Sequence, residues 1–306
     1  MISKNASIAI GLILILFVGV AVGLRIRFEL EAVSLASSIC APLQWSPEIY
    51  ARAAYLVDIQ TGDVLYQKEA TQQVPLASLT KLMTTLVAHE ILGGNSRITI
   101  SDASFEPEGD SGFLLNEMWD SSDLIDFTLI TSSNDGAHTL ALETSKKLGK
   151  APGDFYMLMN EKAQELKLSQ TYFLNETGLD VSSSTSGAYG SAKDVASLLM
   201  YANHTVPETF SASSEPKKVF TSLSGFEHVA THTSAVTSEI PGGVLAKTGF
   251  TDLAGGNLAI IAEPIPGRPV AIAVLQSDRD IRNHDVKVLY DYAKKIIKHQ
   301  IACTNL

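Results

Sequence analysis

Three short clusters in this 306-residue chain hold side chains suited to acyl-transfer chemistry. The first is Ser78-Leu79-Thr80-Lys81. A serine hydroxyl is a weak nucleophile and needs a base beside it. Residues three apart on a helix share a face, so Lys81 can reach the Ser78 hydroxyl. Its amine must be neutral to act as that base, and burial among apolar neighbours lowers a lysine pKa. The second cluster is Ser132-Ser133-Asn134. Ser132 can relay a proton, and Asn134 offers both a donor and an acceptor to a peptide group. The third is Lys247-Thr248-Gly249, which presents a positive charge and a hydroxyl to a carboxylate. Gly249 there leaves room for a substrate backbone to come close.

Each cluster has an ordinary alternative. Ser78 can be a helix-capping residue with a solvated lysine one turn on. Residues 132–134 can be an N-cap cluster, and residues 247–249 a strand end turning into solvent. The Ser-x-x-Lys spacing recurs at Ser214-Glu215-Pro216-Lys217, where Pro216 and polar neighbours indicate a loop. The surrounding elements separate the two copies. Ser78 opens a segment whose apolar residues Leu79, Leu82, Met83, Leu86, Val87 and Ile91 follow helical spacing up to Gly93-Gly94-Asn95. Helices predicted over 124–130 and 135–148 flank Ser132-Ser133-Asn134. Lys247-Thr248-Gly249 ends a strand candidate over 242–251.

The remaining pattern places these three on one scaffold. Residues 53–60 and 63–69 read as a strand pair about Thr61-Gly62. Further helices are predicted over 155–166 and 192–202. Two more strands, 256–263 and 268–276, are separated by the tight turn Pro264-Ile265-Pro266-Gly267, and a last helix spans 284–299. Strands, then helices, then strands, then a helix predict an α+β fold. Its antiparallel sheet is assembled from both chain ends, with a helical cluster between.

Taken in order, the three clusters match a trio shared by penicillin-binding proteins and class A β-lactamases. Around them, ASLTKLMTTLVAHE, TSSNDGAHTLA, MNEKAQELKLSQTYFLNETGLD, AYGSAKDVASLL and KTGFTDLAGGNLA extend the likeness over roughly residues 50–295. The sequence resembles the D-alanyl-D-alanine carboxypeptidases, low-molecular-mass penicillin-binding proteins that are serine peptidases with the DD-peptidase/β-lactamase fold. The resemblance implies that Ser78 forms the acyl-enzyme, Lys81 takes its proton and Ser132 shuttles protons. Asn134 would hold the substrate peptide group, and Lys247 and Thr248 the carboxylate. The backbone N–H groups of Ser78 and Phe250 would form the oxyanion hole, a feature often worth several kcal/mol of barrier. Arg282 matches an arginine that supports carboxylate recognition, with Arg279 a nearby competitor. The implied reaction removes the terminal D-alanine from peptidoglycan stem pentapeptides, without metal or cofactor, and β-lactams are the implied covalent inhibitors. Two positions depart from the family pattern: Phe250 stands where Tyr or His is common, and Ser133 where Gly is usual. The family's C-terminal β-rich domain is expected to be absent.

Three other readings fit the sequence less well. A class A β-lactamase deacylates with a glutamate four residues before an asparagine, and no Asn here has Glu at that offset. A catalytically inactive wall-binding homologue would not need an intact trio. A zinc hydrolase would rest on His228 and His232, but Glu227 lies outside the pair and no third ligand is evident.

Composition sets the location. The net charge is -10 and 45% of residues are hydrophobic, which supplies a core and argues against nucleic acid, whose binding needs a basic face. Residues 5–24 carry no charge, and Ile8–Leu24 is an unbroken apolar run. That exceeds the roughly 7–15 residues of a signal-peptide core and approaches the about 20 of a membrane span. Residues 1–24 are therefore expected to be an uncleaved membrane anchor in preference to a cleaved signal, with 25–49 a linker and 50–300 an extracytoplasmic catalytic domain. Cys40 and Cys303 are open to two readings, a disulfide outside the cytoplasm or two unpaired or buried thiols.

Overall fold

The apolar hexapeptide AAYLVD forms strand β1 (Ala53–Asp58), buried at every position because it lies inside a sheet covered on its faces. The computed structural model describes residues 17–29, 46–207, 212–241 and 245–304. They fall into two units, one over 47–294 and the other combining 1–46 with 295–306.

In the larger unit, β1 pairs with β2 (Val64–Lys68) on one side and with β12 (Arg268–Ser277) on the other. Beyond β12 come β11 (Gly255–Ile265) and the edge strand β10 (Leu245–Thr251), giving an antiparallel sheet of order β10-β11-β12-β1-β2. The two chain ends thus build one α+β sheet, as the sequence predicts. The β11–β12 turn is tighter than expected. Strand pairing continues through Pro264 to an Ile265–Arg268 pair, after a register shift beyond Ala262, so only Pro266 and Gly267 turn. Gly267 supplies the positive φ of 75° that such a turn requires.

Between the strands lies a helical cluster centred on α2 (Lys81–Leu92). The sequence pattern marks one apolar face, but the helix is buried nearly all round, including Thr84, Thr85 and Lys81. Four helices enclose it: α3 (Ser121–Thr131), α4 (Asn134–Lys147), α5 (Phe155–Glu165) and α6 (Ala192–Thr205). Its threonines stay dry by bonding backbone: Thr85 Oγ1 donates to Lys81 O (2.7 Å) and Thr84 Oγ1 to Glu176 O (2.6 Å). Helix α6 also covers β1, β11 and β12. Three small sheets complete the unit: β3 (Val74–Pro75), β7 (Ala188–Gly190) and β6 (Tyr172–Phe173) in the order β3-β7-β6, β4 (Arg97–Thr99) with β5 (Met118–Asp120), and β8 (Lys217–Thr221) with β9 (Glu227–Thr231). Ser214 of the second Ser-x-x-Lys ends a 3₁₀ turn and Lys217 opens β8, so that pair shares no helix face.

The last helix, Arg282–Thr304, begins at the sheet. There the buried Asp285 carboxylate accepts from Tyr50 N (2.9 Å), Ala51 N (2.8 Å) and Ser277 Oγ (2.6 Å). One side chain therefore fastens the entry to β1 and the exit from β12 to the same helix.

In the smaller unit, residues 17–29 are helical and expose Phe17, Val18, Val20, Val22, Leu24, Ile26 and Phe28. Among the described residues no helix is long and apolar enough to cross a membrane. The rest of the predicted anchor, residues 1–16, lies outside the described residues, as do most of the linker and Cys40. Cys303 is disulfide-bonded, and among the described residues no cysteine is free, which sets aside the reading of two unpaired thiols.

Replacing Asp285 with alanine strands a buried and a part-buried backbone N–H group and a hydroxyl. Urea unfolding of Asp285→Ala is expected to show a loss on the order of 3 kcal/mol. A loss below about 1 kcal/mol would mean that the clasp is dispensable.

Candidate active site

Ser78 sits in a 3₁₀ turn, Ala77–Thr80, that runs directly into α2. In a 3₁₀ turn residues i and i+3 eclipse, which brings Ser78 and Lys81 closer in azimuth than an α-helix would. Lys81 Nζ lies 3.0 Å from Ser78 Oγ, 2.7 Å from Asn134 Oδ1 and 2.7 Å from the Thr177 carbonyl oxygen. A neutral amine matches these three neighbours: two N–H groups donate to the two carbonyl-type oxygens, and the lone pair accepts the Ser78 hydroxyl proton. Lys81 is fully buried, and burial lowers its pKa to about 7 against the opposing attraction of Glu176 and Asp135.

Two glycines let this turn fit. A Cβ on Gly178, whose φ is +78°, would run into the Ala77 carbonyl. A Cβ on Gly249 would stand 2.7 Å from Leu76 O and 3.2 Å from Ser78 N. The close approach at Gly249 is thus made by the chain's own backbone at Leu76–Leu79, where the sequence reading assigned the space to a substrate. It also lays edge strand β10 alongside the Ser78 amide. Asn257 of β11, fully buried, donates to both Pro75 O and Leu76 O (3.0 Å each) and completes the clamp.

Ser132 caps α3 in the left-handed region (φ 63°), a conformation that stops the helix and turns the chain into α4. Its Oγ accepts from Lys247 Nζ (2.7 Å), and Lys247 also donates to Thr248 O (2.8 Å). Lys247 is fully buried, and burial, then the charges of Lys81 and Arg282, pushes its pKa well down. Ser133 works as the N-cap of α4, accepting from Gly136 N (2.8 Å), so a serine in this place has a structural use. Asn134 faces two ways: its carbonyl accepts from Lys81, and its amide donates to Glu108 O (2.6 Å).

Ser78, Ser132, Thr233, Thr248, Gly249, Phe250, Arg279 and Arg282 line one cleft of about 390 Å³. Among the described residues no carboxylate lines it. Arg282, largely buried, donates to Gly249 O (2.7 Å), while the exposed Arg279 stands over the Phe250 ring (4.9 Å). Both arginines therefore belong to the cleft, one tied to β10 and the other free to swing. A hydroxyl paired with a buried amine, beside a second lysine and two guanidinium groups, is suited to attack on a carbonyl compound bearing an anionic terminus.

Residues 41–279 match the family of D-alanyl-D-alanine carboxypeptidases. The chain belongs to that family. This D-alanyl-D-alanine carboxypeptidase family member is 29% identical over 254 residues to D-alanyl-D-alanine carboxypeptidase DacF of Bacillus subtilis, covering 79% of this chain and 62% of that relative's length. It is 27% identical over 251 residues to a D-alanyl-D-alanine endopeptidase of Escherichia coli, with 80% and 77% covered. Its fold superposes on penicillin-binding protein D2 of Listeria monocytogenes in a cefotaxime-bound form, with a TM-score of 0.69, 29% identity, and 81% of this chain and 99% of that one covered. The chain thus spans about three fifths of DacF's length, and sequence family and fold agree.

Several site residues were not foreseen. Thr233 shares a 2.5 Å hydrogen bond with Thr248 Oγ1 across the cleft wall, and no local pattern announces it. The polar segment Glu106-Pro107-Glu108-Gly109-Asp110-Ser111 is fastened to the second cluster: Ser111 bonds Ser133 Oγ (2.6 Å) and Asp135 Oδ2 (2.9 Å). Glu176 and Thr177 come in from the Asn175–Gly178 turn. The two histidines of the zinc reading are both buried and separately partnered. His228 Nε2 meets Glu117 Oε1 (2.6 Å) beside Trp119. His232 Nδ1 accepts from Ser234 N (2.9 Å), which leaves Nε2–H for Ala246 O (3.2 Å), and burial lowers its pKa to about 4. Among the described residues no group of His, Cys, Asp or Glu could hold a metal.

If neutral Lys81 activates Ser78, acylation by a fluorescent penicillin should rise with pH through about 7 and then level off, because the reactive form is the deprotonated amine. Lys81→Met should slow it about a hundred- to ten-thousand-fold. A profile flat across neutrality would rule out Lys81 as the titrating base.

Proposed function

We propose that this protein hydrolyses the terminal D-alanine from peptidoglycan stem pentapeptides through a Ser78 acyl-enzyme. The observation that carries this reading is the 3.0 Å contact between Ser78 Oγ and a fully buried Lys81 amine whose other two neighbours are both acceptors. Ser78 attacks the penultimate D-alanyl carbonyl while Lys81 removes its proton. Ser132, bonded to Lys247, passes a proton to the departing D-alanine nitrogen, and water then cleaves the ester. The amide N–H groups of Ser78 and Phe250 stabilise the oxyanion. Asn134 holds the peptide group, and Thr248, Arg282 and Arg279 receive the terminal carboxylate. A β-lactam, which also pairs a reactive carbonyl with a carboxylate, acylates the same serine. Its ester persists, since among the described residues no carboxylate lines the cleft to activate water.

The reaction takes place outside the cytoplasm, with the chain tethered by its N-terminal segment. Three features support this: the apolar run Ile8–Leu24, the exposed apolar side chains of residues 17–28, and the disulfide at Cys303, a bond kept in oxidising compartments.

Labelled penicillin followed by peptide mapping is expected to place the adduct on Ser78, with none on Ser78→Ala. Diacyl-D-Ala-D-Ala should release D-alanine. An adduct on another residue, or binding without D-alanine release, would replace this reading with the inactive wall-binding alternative. The full chain should sediment with membranes and resist carbonate extraction; recovery in the soluble fraction would remove the tether.

A further inference from the structure

Helix α4 carries a histidine, His138, one turn beyond Asn134, and its ring points away from the cleft toward the turn that supports Lys81. His138 Nδ1 lies 2.6 Å from Glu176 Oε1, and both side chains are mostly buried. The Glu176 backbone is held as well, since its carbonyl accepts from Thr84 Oγ1 (2.6 Å) on α2. The next residue, Thr177, turns its carbonyl onto Lys81 Nζ (2.7 Å), and the next, Gly178, lies against Ala77 in the Ser78 turn. A three-residue segment thus touches both halves of the Ser78–Lys81 pair, and its only charge is the carboxylate clasped by His138.

We propose that Glu176, clasped by His138, is a positioning residue for the general base: it fixes the Thr177 carbonyl against Lys81 and supplies the buried negative charge beside the amine. This rests on the reading of Lys81 as the base for Ser78.

The neighbouring charges single out Glu176. Lys81 feels two carboxylates, Glu176 and then Asp135, and its own charge bears on the neighbouring Lys247. Asp135, fully buried with one oxygen unpartnered, is pushed up by desolvation and so holds its charge less firmly. Burial also acts to raise Glu176. Hydrogen bonds from His138 and from its own backbone N–H, with the charges of His138 and Lys81, overcome that and hold it below the usual carboxylate range. Glu106 approaches the far ring nitrogen of His138 at 3.9 Å from the solvent side, and so bears on Glu176 only through the ring. Glu176 is therefore the stable anion of the pocket. An anion beside an ammonium favours the charged form, so it keeps Lys81 basic enough to take a proton in a site that would otherwise make it too weak a base.

The test is the pH profile of penicillin acylation at Ser78 for the full chain, with thermal melting alongside. Glu176→Gln keeps the shape and removes the charge. Its acylation midpoint should move to lower pH by on the order of one unit, while Glu176→Asp, which keeps the charge, should stay near the wild-type midpoint. If the glutamine variant does not fold, Glu176→Ala carries the same expectation. A midpoint unchanged in a folded Gln or Ala variant overturns the proposal and reduces the pair to a structural clasp, which would alter melting alone. A wild type with no midpoint, or no adduct on Ser78, instead defeats the underlying reading of Lys81.

Discussion

Everything in the cleft depends on a lysine amine kept out of water. Moving the Lys81 pKa from its ordinary 10.5 to about 7 corresponds to about 5 kcal/mol of lost preference for the charged form. That loss comes from enclosure, because α2 is the one helix surrounded by four others. The same enclosure explains why α2 carries Thr84 and Thr85 without penalty, since each finds a carbonyl within its own layer. A helix packed on one side, as its sequence pattern suggests, would leave the amine solvated and fully protonated at neutral pH.

The nucleophile's turn is equally constrained. It is pinched between Gly178 on one side and Gly249 on the other, and Asn257 hooks the two carbonyls that precede it. These contacts come from three separate parts of the chain, the Asn175–Gly178 turn, β10 and β11. The sheet built from both chain ends is thus the device that brings Lys247 and Asn257 to a serine far earlier in the sequence. Asp285 locks that sheet where its inner strands β1 and β12 meet the last helix.

Much of this was legible in the sequence. Long periodic segments gave the helices and the three late strands, and the spacing of Ser78 and Lys81 gave the central pair. The illegible parts share a physical cause, in that their meaning lies in contacts between distant segments. Strands of two or three residues, such as Val74–Pro75 and Tyr172–Phe173, have no periodicity to detect. Gly249 looked like room for a ligand, because nothing local reveals that Leu76 fills it. Nothing in their immediate neighbours announces Thr233 or Glu176, and only the fold brings Thr233 to the cleft wall and Glu176 beside Lys81. His228 and His232 resembled a ligand pair through their spacing of four, yet they lie near the start of a strand and just beyond its end, and each faces a different partner.

The two buried lysines also explain how a proton would travel on the proposed reading. Lys81 and Arg282 are close enough to lower the affinity of Lys247 for a proton, and water is excluded from both lysines. A proton taken from Ser78 therefore arrives on an amine that holds it weakly, at the moment when the leaving nitrogen becomes a stronger base. Ser132 bridges toward that nitrogen with its oxygen already engaged by Lys247 Nζ at 2.7 Å. Its left-handed backbone fixes the hydroxyl at the break between α3 and α4, so it needs no reorganisation to act. Glu176 sets the opposite limit: without a nearby anion the amine would hold a proton too weakly to remove it from a serine. The site works between these two limits, with enclosure weakening the base and a clasped carboxylate restoring enough of its strength.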